Sequence, residues 1–148
     1  MVLEMSEGRF TTSSGFDAFY GLELLELGAQ RARGRLRVRP EHLQPFGLLH
    51  GGLYASIAEG LTSFSTASVV LDRGFGASGL SNHTSFLRPV TSGTVHALAS
   101  CKHAGRTTWV WEVEMTDDAG RLCAISRVTI AVRALGQDDP RAGADPVV

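Results

Sequence analysis

The sequence predicts an α+β fold in which one antiparallel β-sheet wraps around a single long central helix. Three observations support this prediction. Residues 43–71 contain one acid, one histidine and no Lys or Arg, two extended runs precede this segment, and four follow it. Because a helix without a charged face must be covered by other elements, the order β-β-α-β-β-β-β favours a sheet that curls around it.

The central helix is predicted over about residues 52–70. Its larger apolar side chains recur at helical spacing and are Leu53, Ile57, Leu61 and Phe64. The positions between them carry Ala, Ser, Thr and Gly, where a surface helix would carry Glu and Lys. The pattern therefore predicts a helix that is buried on all sides.

The predicted strands flank this helix. Residues 22–28 and 31–39 are expected to form a hairpin, and the four later runs are 77–90, 93–103, 107–116 and 121–133. Arginines alternate with small or apolar residues along 31–39; a solvated strand face and a phosphate-binding stripe both fit, and the regular spacing with Glu23 and Glu26 nearby favours the former. Residues 16–20 are predicted as a short turn or helix whose Phe16, Phe19 and Tyr20 cover one end of the core.

Composition limits the class of protein. The 148 residues suit one domain, divided into an N-terminal extension (1–15), a folded domain (16–135) and a flexible C-terminal tail (136–148) without periodic apolar residues. A net charge of −1 provides no broad basic field for nucleic acid. No apolar run reaches the ~20 residues that span a bilayer, and no signal peptide is evident, so we expect no membrane partner and a cytoplasmic location.

Metal and redox chemistry are not expected. Cys101 and Cys123 are too far apart in the chain for a CxxC site, and we expect them to be reduced thiols within strands. The five histidines show no spacing typical of metal ligands. The sequence therefore predicts no metal site.

Glu59 is the one acid of the central helix. Carboxylates are almost never fully buried without a partner, so its presence needs a reason. Either it reaches water at an interface or pairs with a distant arginine, or it is a catalytic base or nucleophile in a cleft of low dielectric constant.

The sequence His50-Gly51-Gly52 marks the start of the helix. Glycines there let a ligand approach the backbone N–H groups, which the helix dipole makes suitable for an oxygen that gains negative charge. Glu59 lies eight residues beyond Gly51, about 12 Å along a helix axis. Both groups can meet at one reacting centre only if two helices run antiparallel across a dimer, which predicts a composite site.

Residues 44–52 (QPFGLLHGG), followed by Ala58-Glu59, resemble the motif of hotdog-fold acyl-CoA thioesterases. The similarity is greatest to the branch of the Arthrobacter-type 4-hydroxybenzoyl-CoA thioesterases and the phenylacetate-pathway thioesterases, and it covers residues 16–133. It implies the hotdog fold and a homodimer with composite active sites, assembled further into a dimer-of-dimers tetramer.

The resemblance also implies roles for the motif residues in acyl-CoA hydrolysis. The Gly51 N–H polarises the thioester carbonyl, and Glu59 of the partner subunit attacks the acyl carbon or activates a water. Gln44 orients the reacting groups, and Ser63 holds the water unless it merely fills the helix. His50 either fixes the glycine turn or contacts the substrate. No cofactor is implied, because coenzyme A is part of the substrate.

Coenzyme A carries phosphates, which the planar fork of arginine suits. Arg88 and Arg106 are the candidates implied by the resemblance, and the alternative is that both are ordinary strand-end charges. Further contacts are expected along the pantetheine arm, from Asn82, His83, Ser85, Thr107 and Thr108.

The sequence alone leaves the identity of the acyl group open. Relatives in the phenylacetate branch often carry Asp at the position of Glu59, so Glu favours the 4-hydroxybenzoyl-CoA type, while medium-chain and naphthoyl groups remain conceivable. Tyr54 and Phe64 either shape an aromatic acyl pocket or pack the core.

Two other functions are alternatives to acyl-CoA hydrolysis. One is a non-catalytic acyl-CoA-binding sensor; the other is a hotdog hydratase, which would use an Asp-His pair in a different sequence context.

Overall fold

The structure, a computed structural model, describes residues 3–6, 9–12 and 15–136. These residues form eight strands and two α-helices, which are β1 (Leu3–Ser6), β2 (Arg9–Thr12), α1 (Gly15–Tyr20), β3 (Leu22–Glu26), β4 (Arg31–Arg37), α2 (Gly51–Val70), β5 (Phe75–Phe86), β6 (Thr94–Ala104), β7 (Thr108–Thr116) and β8 (Leu122–Ala134).

All eight strands belong to one antiparallel sheet in the order β1-β2-β3-β4-β6-β7-β8-β5. Helix α2 packs against β3 to β8, so the predicted sheet around one central helix is confirmed. Residues 1–15 are predicted as an extension without strands, yet β1 and β2 extend the sheet beyond β3. The predicted C-terminal tail lies outside the described residues, apart from its first residue.

The core lies between α2 and the inner face of the sheet. Ile57, Ala58 and Leu61 of α2 are fully buried, as are alternate residues of β7 and β8 such as Trp111 and Val128. Buried hydroxyls of the helix are satisfied internally, since Thr62 and Thr66 each donate to the carbonyl four residues earlier at 2.8 Å. Small hydroxyl residues thus let the helix be enclosed at little polar cost.

Two expectations about burial were wrong. Helix α2 is not buried on all sides, because Gly52 and Glu59 are exposed in the single chain. Helix α1 forms where predicted, but Phe16 and Phe19 are 62% and 76% exposed and only Tyr20 enters the core. The spacing puts the three rings on one side of α1, but Tyr20 is the one tied to α2, because its hydroxyl donates to the Ser56 carbonyl at 3.2 Å.

The outer face of β4 is solvated, as predicted. Arg35 pairs with Glu23 at 2.8 Å, and Arg31 lies 3.9 Å from Glu26. Ala32 and Leu36 point inward and are fully buried. Arg31 and Arg35 are therefore paired surface charges.

Two further expectations concern the thiols and the membrane. Both cysteines are free, Cys101 in β6 and Cys123 in β8, which confirms them as strand thiols. In the described part of the chain, neither helix has the length and apolar character needed to cross a membrane.

Replacing Trp111 with Ala should lower the free energy of unfolding by about 3–5 kcal/mol. The ring is fully buried, and its Nε1–H donates to Thr66 Oγ1 at 3.0 Å, so the variant leaves a cavity and removes a buried hydrogen bond. Chemical denaturation measures the change. Trp111→Phe is the control, because it keeps most of the ring volume and should cost less. A loss below about 1 kcal/mol for Trp111→Ala would contradict this packing.

Candidate active site

Glu59 lies on the open side of α2, at the wall of a cleft of about 620 Å³. The Ser63 hydroxyl, one helical turn later, donates a hydrogen bond to Glu59 Oε1 at 2.8 Å. Within residues 15–136 no cation forms an ion pair with Glu59. The carboxylate is therefore oriented by a neutral donor. This cleft, called the Glu59 cleft below, is lined by Phe16, Asp17, Ala55, Ser56, Glu59, Asn82, Thr84 and Phe86.

A register shift in β5 brings the strand backbone against this carboxylate. The pairing of β5 with β8 shifts between Gly79 and Ser81, and a Cβ added at Gly79 would lie 2.8 Å from Glu59 Oε1. Bulges often occur beside active sites, where they re-aim a strand. Glycine at position 79 is thus what allows Glu59 to lie against the strand.

Two further polar groups border the Glu59 cleft. Asn82 Nδ2 donates to the Ala55 carbonyl at 2.8 Å, which ties β5 to α2. Asp17 of α1 is a second carboxylate at the cleft and accepts a hydrogen bond from the Tyr20 hydroxyl. Burial, reinforced by Asp17 and Glu59, raises the pKa of Tyr20, so this hydroxyl stays a donor. The cleft therefore holds two carboxyl groups, those of Asp17 and Glu59.

The start of α2 forms a second site. The Gly52 N–H donates to His50 Nδ1 at 2.9 Å, so His50 caps the helix. This hydrogen bond supports the role of His50 in fixing the glycine turn. Among the described residues, no acceptor bonds the Gly51 N–H. The Phe86 ring covers this residue, since a Cβ added at Gly51 would lie 2.9 Å from Phe86 Cζ.

Gly51 lines a cleft of about 300 Å³, called the Gly51 cleft. Its lining is mostly apolar and consists of Gln44, Leu48, Leu49, Gly51, Tyr54, Phe86, Leu87, Arg88 and Pro89. Gln44 is placed by a tight turn in which its N–H donates to the Leu48 carbonyl at 2.8 Å and Gly47 adopts φ +78°. Gln44 and Gly51 therefore border one cavity.

The loop before α2 rests on a buried histidine. His42 is 4% exposed, and its carbonyl accepts from the His50 N–H at 3.0 Å. Burial lowers the pKa of His42, and the nearby Arg39 guanidinium lowers it further. His42 is thus neutral, and its carbonyl holds the backbone at the start of the glycine turn through the His50 N–H.

The predicted catalytic residues fall into two groups within one chain. Glu59 and Ser63 belong to the Glu59 cleft, whereas Gln44, His50 and Gly51 hold or line the Gly51 cleft. Phe86 is the one residue that lines both. The separation is the one expected from eight residues of helix, about 12 Å.

The residues expected to bind coenzyme A are more dispersed. Asn82 lines the Glu59 cleft and Arg88 the Gly51 cleft. His83 and Ser85 are opposite Arg127 and the exposed Ile125 of β8, so strand alternation directs both away from α2.

Arg106 lines a separate cavity of about 200 Å³ with Arg73, Phe75 and Trp109. The backbone carbonyls of Thr107 and Thr108 accept hydrogen bonds from the N–H groups of Val132 and Gly105, at 2.9 and 3.0 Å respectively. In a single chain these three residues line neither the Glu59 cleft nor the Gly51 cleft.

Sequence reasoning missed three residues of the site. Gly79 had a signal, because an isolated glycine within a strand pattern suggests a bulge or a close backbone approach. Asp17 and Phe86 had none, since their proximity to α2 comes from tertiary packing. Within the described residues, no cluster of His, Cys, Asp or Glu is arranged to hold a metal ion.

Comparisons with known proteins agree with this geometry. Residues 46–124 match the family described as the thioesterase superfamily. The Mycobacterium tuberculosis protein Rv1847 is 38% identical over 117 residues, which is 78% of this chain and 84% of the relative. The 1,4-dihydroxy-2-naphthoyl-CoA hydrolase of Listeria monocytogenes is 34% identical over 80% of this chain and 96% of its own length.

A solved structure gives the same result. The thioesterase HI1161 from Haemophilus influenzae superposes with a TM-score of 0.78 at 32% identity, covering 85% of this chain and 87% of that one. The chain therefore belongs to the thioesterase superfamily and is a thioester hydrolase with the hotdog fold.

Proposed function

We propose that this enzyme hydrolyses the thioester of an aryl or medium-chain acyl-CoA to the free acid and coenzyme A. One observation carries the proposal. The Glu59 carboxylate, held by Ser63 and without an ion-pair partner among residues 15–136, lies on the same helix as a free N–H at Gly51. The carboxylate can supply the base or nucleophile, and the N–H can stabilise the oxyanion.

The proposal requires two subunits. Strand β5 ends the sheet and pairs only with β8 in the described chain, and such an edge is a template for a second strand. Antiparallel pairing of two β5 strands about a two-fold axis would bring the Glu59 cleft of one subunit to the partner's Gly51 cleft. Each dimer would then have two identical composite sites, and dimers would pair further into a tetramer.

Two chemical routes are compatible with this site. As a general base, Glu59 would take a proton from a water whose oxygen attacks the acyl carbon. The tetrahedral intermediate would then expel the coenzyme A thiolate, which receives that proton. As a nucleophile, the carboxylate would form a mixed anhydride and release the thiolate, and water would then hydrolyse the anhydride. In both routes negative charge develops on the carbonyl oxygen beside the Gly51 N–H.

Charge distribution supports an orientation for coenzyme A. The Glu59 cleft carries two carboxylates, Glu59 and Asp17, which repel phosphate. Arg88 at the Gly51 cleft is a cation at the rim, so we place the phosphates toward it. Arg106 would contribute only if the partner subunit brings its cavity near this rim. No cofactor enters the scheme, since coenzyme A is part of the substrate.

The preferred acyl group is also a proposal. Glu59 in place of the Asp of many phenylacetate-branch relatives favours the 4-hydroxybenzoyl-CoA type of activity, and the Listeria relative is named for a hydroxynaphthoyl-CoA. Aryl acyl groups are therefore the first to test. A cytoplasmic location, where acyl-CoA is made and consumed, belongs to the same proposal.

Hydrolysis of a panel of acyl-CoAs, followed with a thiol-reactive dye, tests the function. We expect thiol release from aryl acyl-CoAs, with the acetyl ester as the control for a short acyl group that fills little of the apolar cleft. Binding of acyl-CoA without thiol release would identify a sensor instead. Hydration of an enoyl-CoA without thiol release would identify a hydratase.

A further inference from the structure

The Tyr54 hydroxyl is buried without a hydrogen bond. The residue is 3% exposed, and in the described part of the chain its hydroxyl is the one buried side-chain polar atom that lacks a partner. A buried unpaired hydroxyl loses its hydrogen bonds to water without replacement. Such a group in a native protein calls for an explanation, and an absent ligand is one.

The neighbouring polar groups are already engaged. Asp117 accepts from the Ala119 and Arg121 N–H groups and from the Arg121 guanidinium. The Cys123 thiol donates to the Arg121 carbonyl at 3.1 Å. Burial, with smaller contributions from Cys123 and Asp117, raises the pKa of Tyr54 to about 12, so the hydroxyl keeps its proton at neutral pH.

Tyr54 lines the same cleft as the free Gly51 N–H. It follows Gly51 by three residues, which puts the two on one face of α2 about 4.5 Å apart along the axis. The Phe86 ring, which covers Gly51, also packs against the Tyr54 ring with centroids 6.1 Å apart and planes inclined by 42°. The cleft therefore has an aromatic wall with one unused donor.

We propose that the Tyr54 hydroxyl selects acyl groups by donating a hydrogen bond to an oxygen that the acyl group carries beyond its thioester carbonyl. This inference rests on the proposed function. With the carbonyl at the Gly51 N–H and the phosphates toward Arg88 at the rim, the acyl group extends to the buried part of the cleft. Tyr54 lies there, and its orphan hydroxyl then gains a partner only in the complex.

The selection has a simple physical basis. A site that hydrogen-bonds a substrate oxygen disfavours the analogue without it, because the buried donor stays unpaired. Tyr54 is accordingly a specificity-determining residue, separate from the bond-breaking groups. Its loss should change the ratio of kcat/KM between acyl groups that carry the extra oxygen and those that lack it.

The test compares wild type with Tyr54→Phe on benzoyl-CoA and its 2-, 3- and 4-hydroxy derivatives. We expect wild type to prefer at least one hydroxybenzoyl ester over benzoyl-CoA by about tenfold in kcat/KM, and Tyr54→Phe to abolish this preference by lowering kcat/KM for that ester more than for benzoyl-CoA. An equal fall on all four esters would assign the hydroxyl to the pantetheine arm and overturn the proposal. Unchanged discrimination, or none in wild type, would also overturn it. If wild type hydrolyses no acyl-CoA, the proposed function fails and this inference fails with it.

Thermal unfolding of the free protein provides an independent readout. Tyr54→Phe should unfold at the wild-type temperature or above, because it removes an unpaired hydroxyl. Tyr20→Phe is the matched control, since it removes a buried hydroxyl that donates to Asp17, and its unfolding temperature should fall. A comparable fall for Tyr54→Phe would mean that the hydroxyl is already bonded inside the free protein, which would overturn the proposal.

Discussion

Replacing Glu59 with Gln lowers kcat for acyl-CoA hydrolysis by at least ~100-fold, the lower end of the contribution from a positioned acid-base group. The amide keeps the size of the side chain and can still accept from Ser63 Oγ, which lies 2.8 Å from Glu59 Oε1. It can neither take a proton from water nor attack the acyl carbon. Both routes proposed for Glu59 therefore fail in this variant. Steady-state thiol release measures the effect.

The control is Glu114→Gln, which makes the same change at an exposed position of β7. It should keep wild-type turnover. Both variants should unfold at the wild-type temperature, because neither carboxylate is buried or ion-paired among residues 15–136. Near-normal turnover of Glu59→Gln would remove Glu59 from the mechanism and leave the cleft without its proposed chemistry.

Replacing Gly51 with Pro should lower kcat by about 100- to 1,000-fold, the scale for loss of one oxyanion donor. Proline deletes the N–H that the structure leaves unbonded at the first position of α2. The backbone tolerates the change, because proline suits the first helical position and the preceding His50, at φ −64° and ψ 129°, already has the extended conformation that proline requires.

Gly51→Ala distinguishes the effect of losing the N–H from the effect of adding a side chain. Alanine and proline each add a Cβ, which meets the Phe86 ring at 2.9 Å, but alanine retains the donor. Since Phe86 is 59% exposed, its ring can shift, and Gly51→Ala should keep most of its turnover. Equal losses in the two variants would show that crowding by Phe86, and not the N–H, accounts for the effect.

The same two variants together test the composite site. In a mixed dimer of one Glu59→Gln subunit and one Gly51→Pro subunit, one site would carry both defects and the other neither. Purified mixed dimers should thus recover about half of wild-type turnover, although each parent is impaired. No recovery would mean that Glu59 and Gly51 of the same chain act at one site, which would contradict the composite site.

The elements that local pattern predicts well are those with long regular periodicity. The predicted helix, 52–70, is observed as Gly51–Val70, because helical spacing and the glycine turn are both local signals. The strand predicted over 77–90 instead occupies Phe75–Phe86. It ends there because the Leu87 and Arg88 N–H groups both turn to the Cys123 carbonyl of β8, a contact made across the sheet.

The exposure of Glu59 shows that the sequence pattern of α2 did not predict what surrounds the helix. Absence of charge along α2 predicted enclosure on all sides, yet one face of the helix opens on two clefts in the single chain. Small polar residues on a helix are compatible with a buried core, with a ligand cleft and with a subunit contact. Composition cannot distinguish these, because each excludes charged side chains.

By itself the sequence determined the fold class, the position of the central helix and the two groups to which we assign the proposed chemistry, Glu59 and the Gly51 N–H. Periodicity and residue type carry that information, because they act over a few neighbouring residues. Only the tertiary structure decided what surrounds those groups. The β5 bulge at Gly79, the Phe86 ring over Gly51 and the unpaired Tyr54 hydroxyl arise where distant segments meet, and the register of such contacts is set by the packing of the whole sheet around α2.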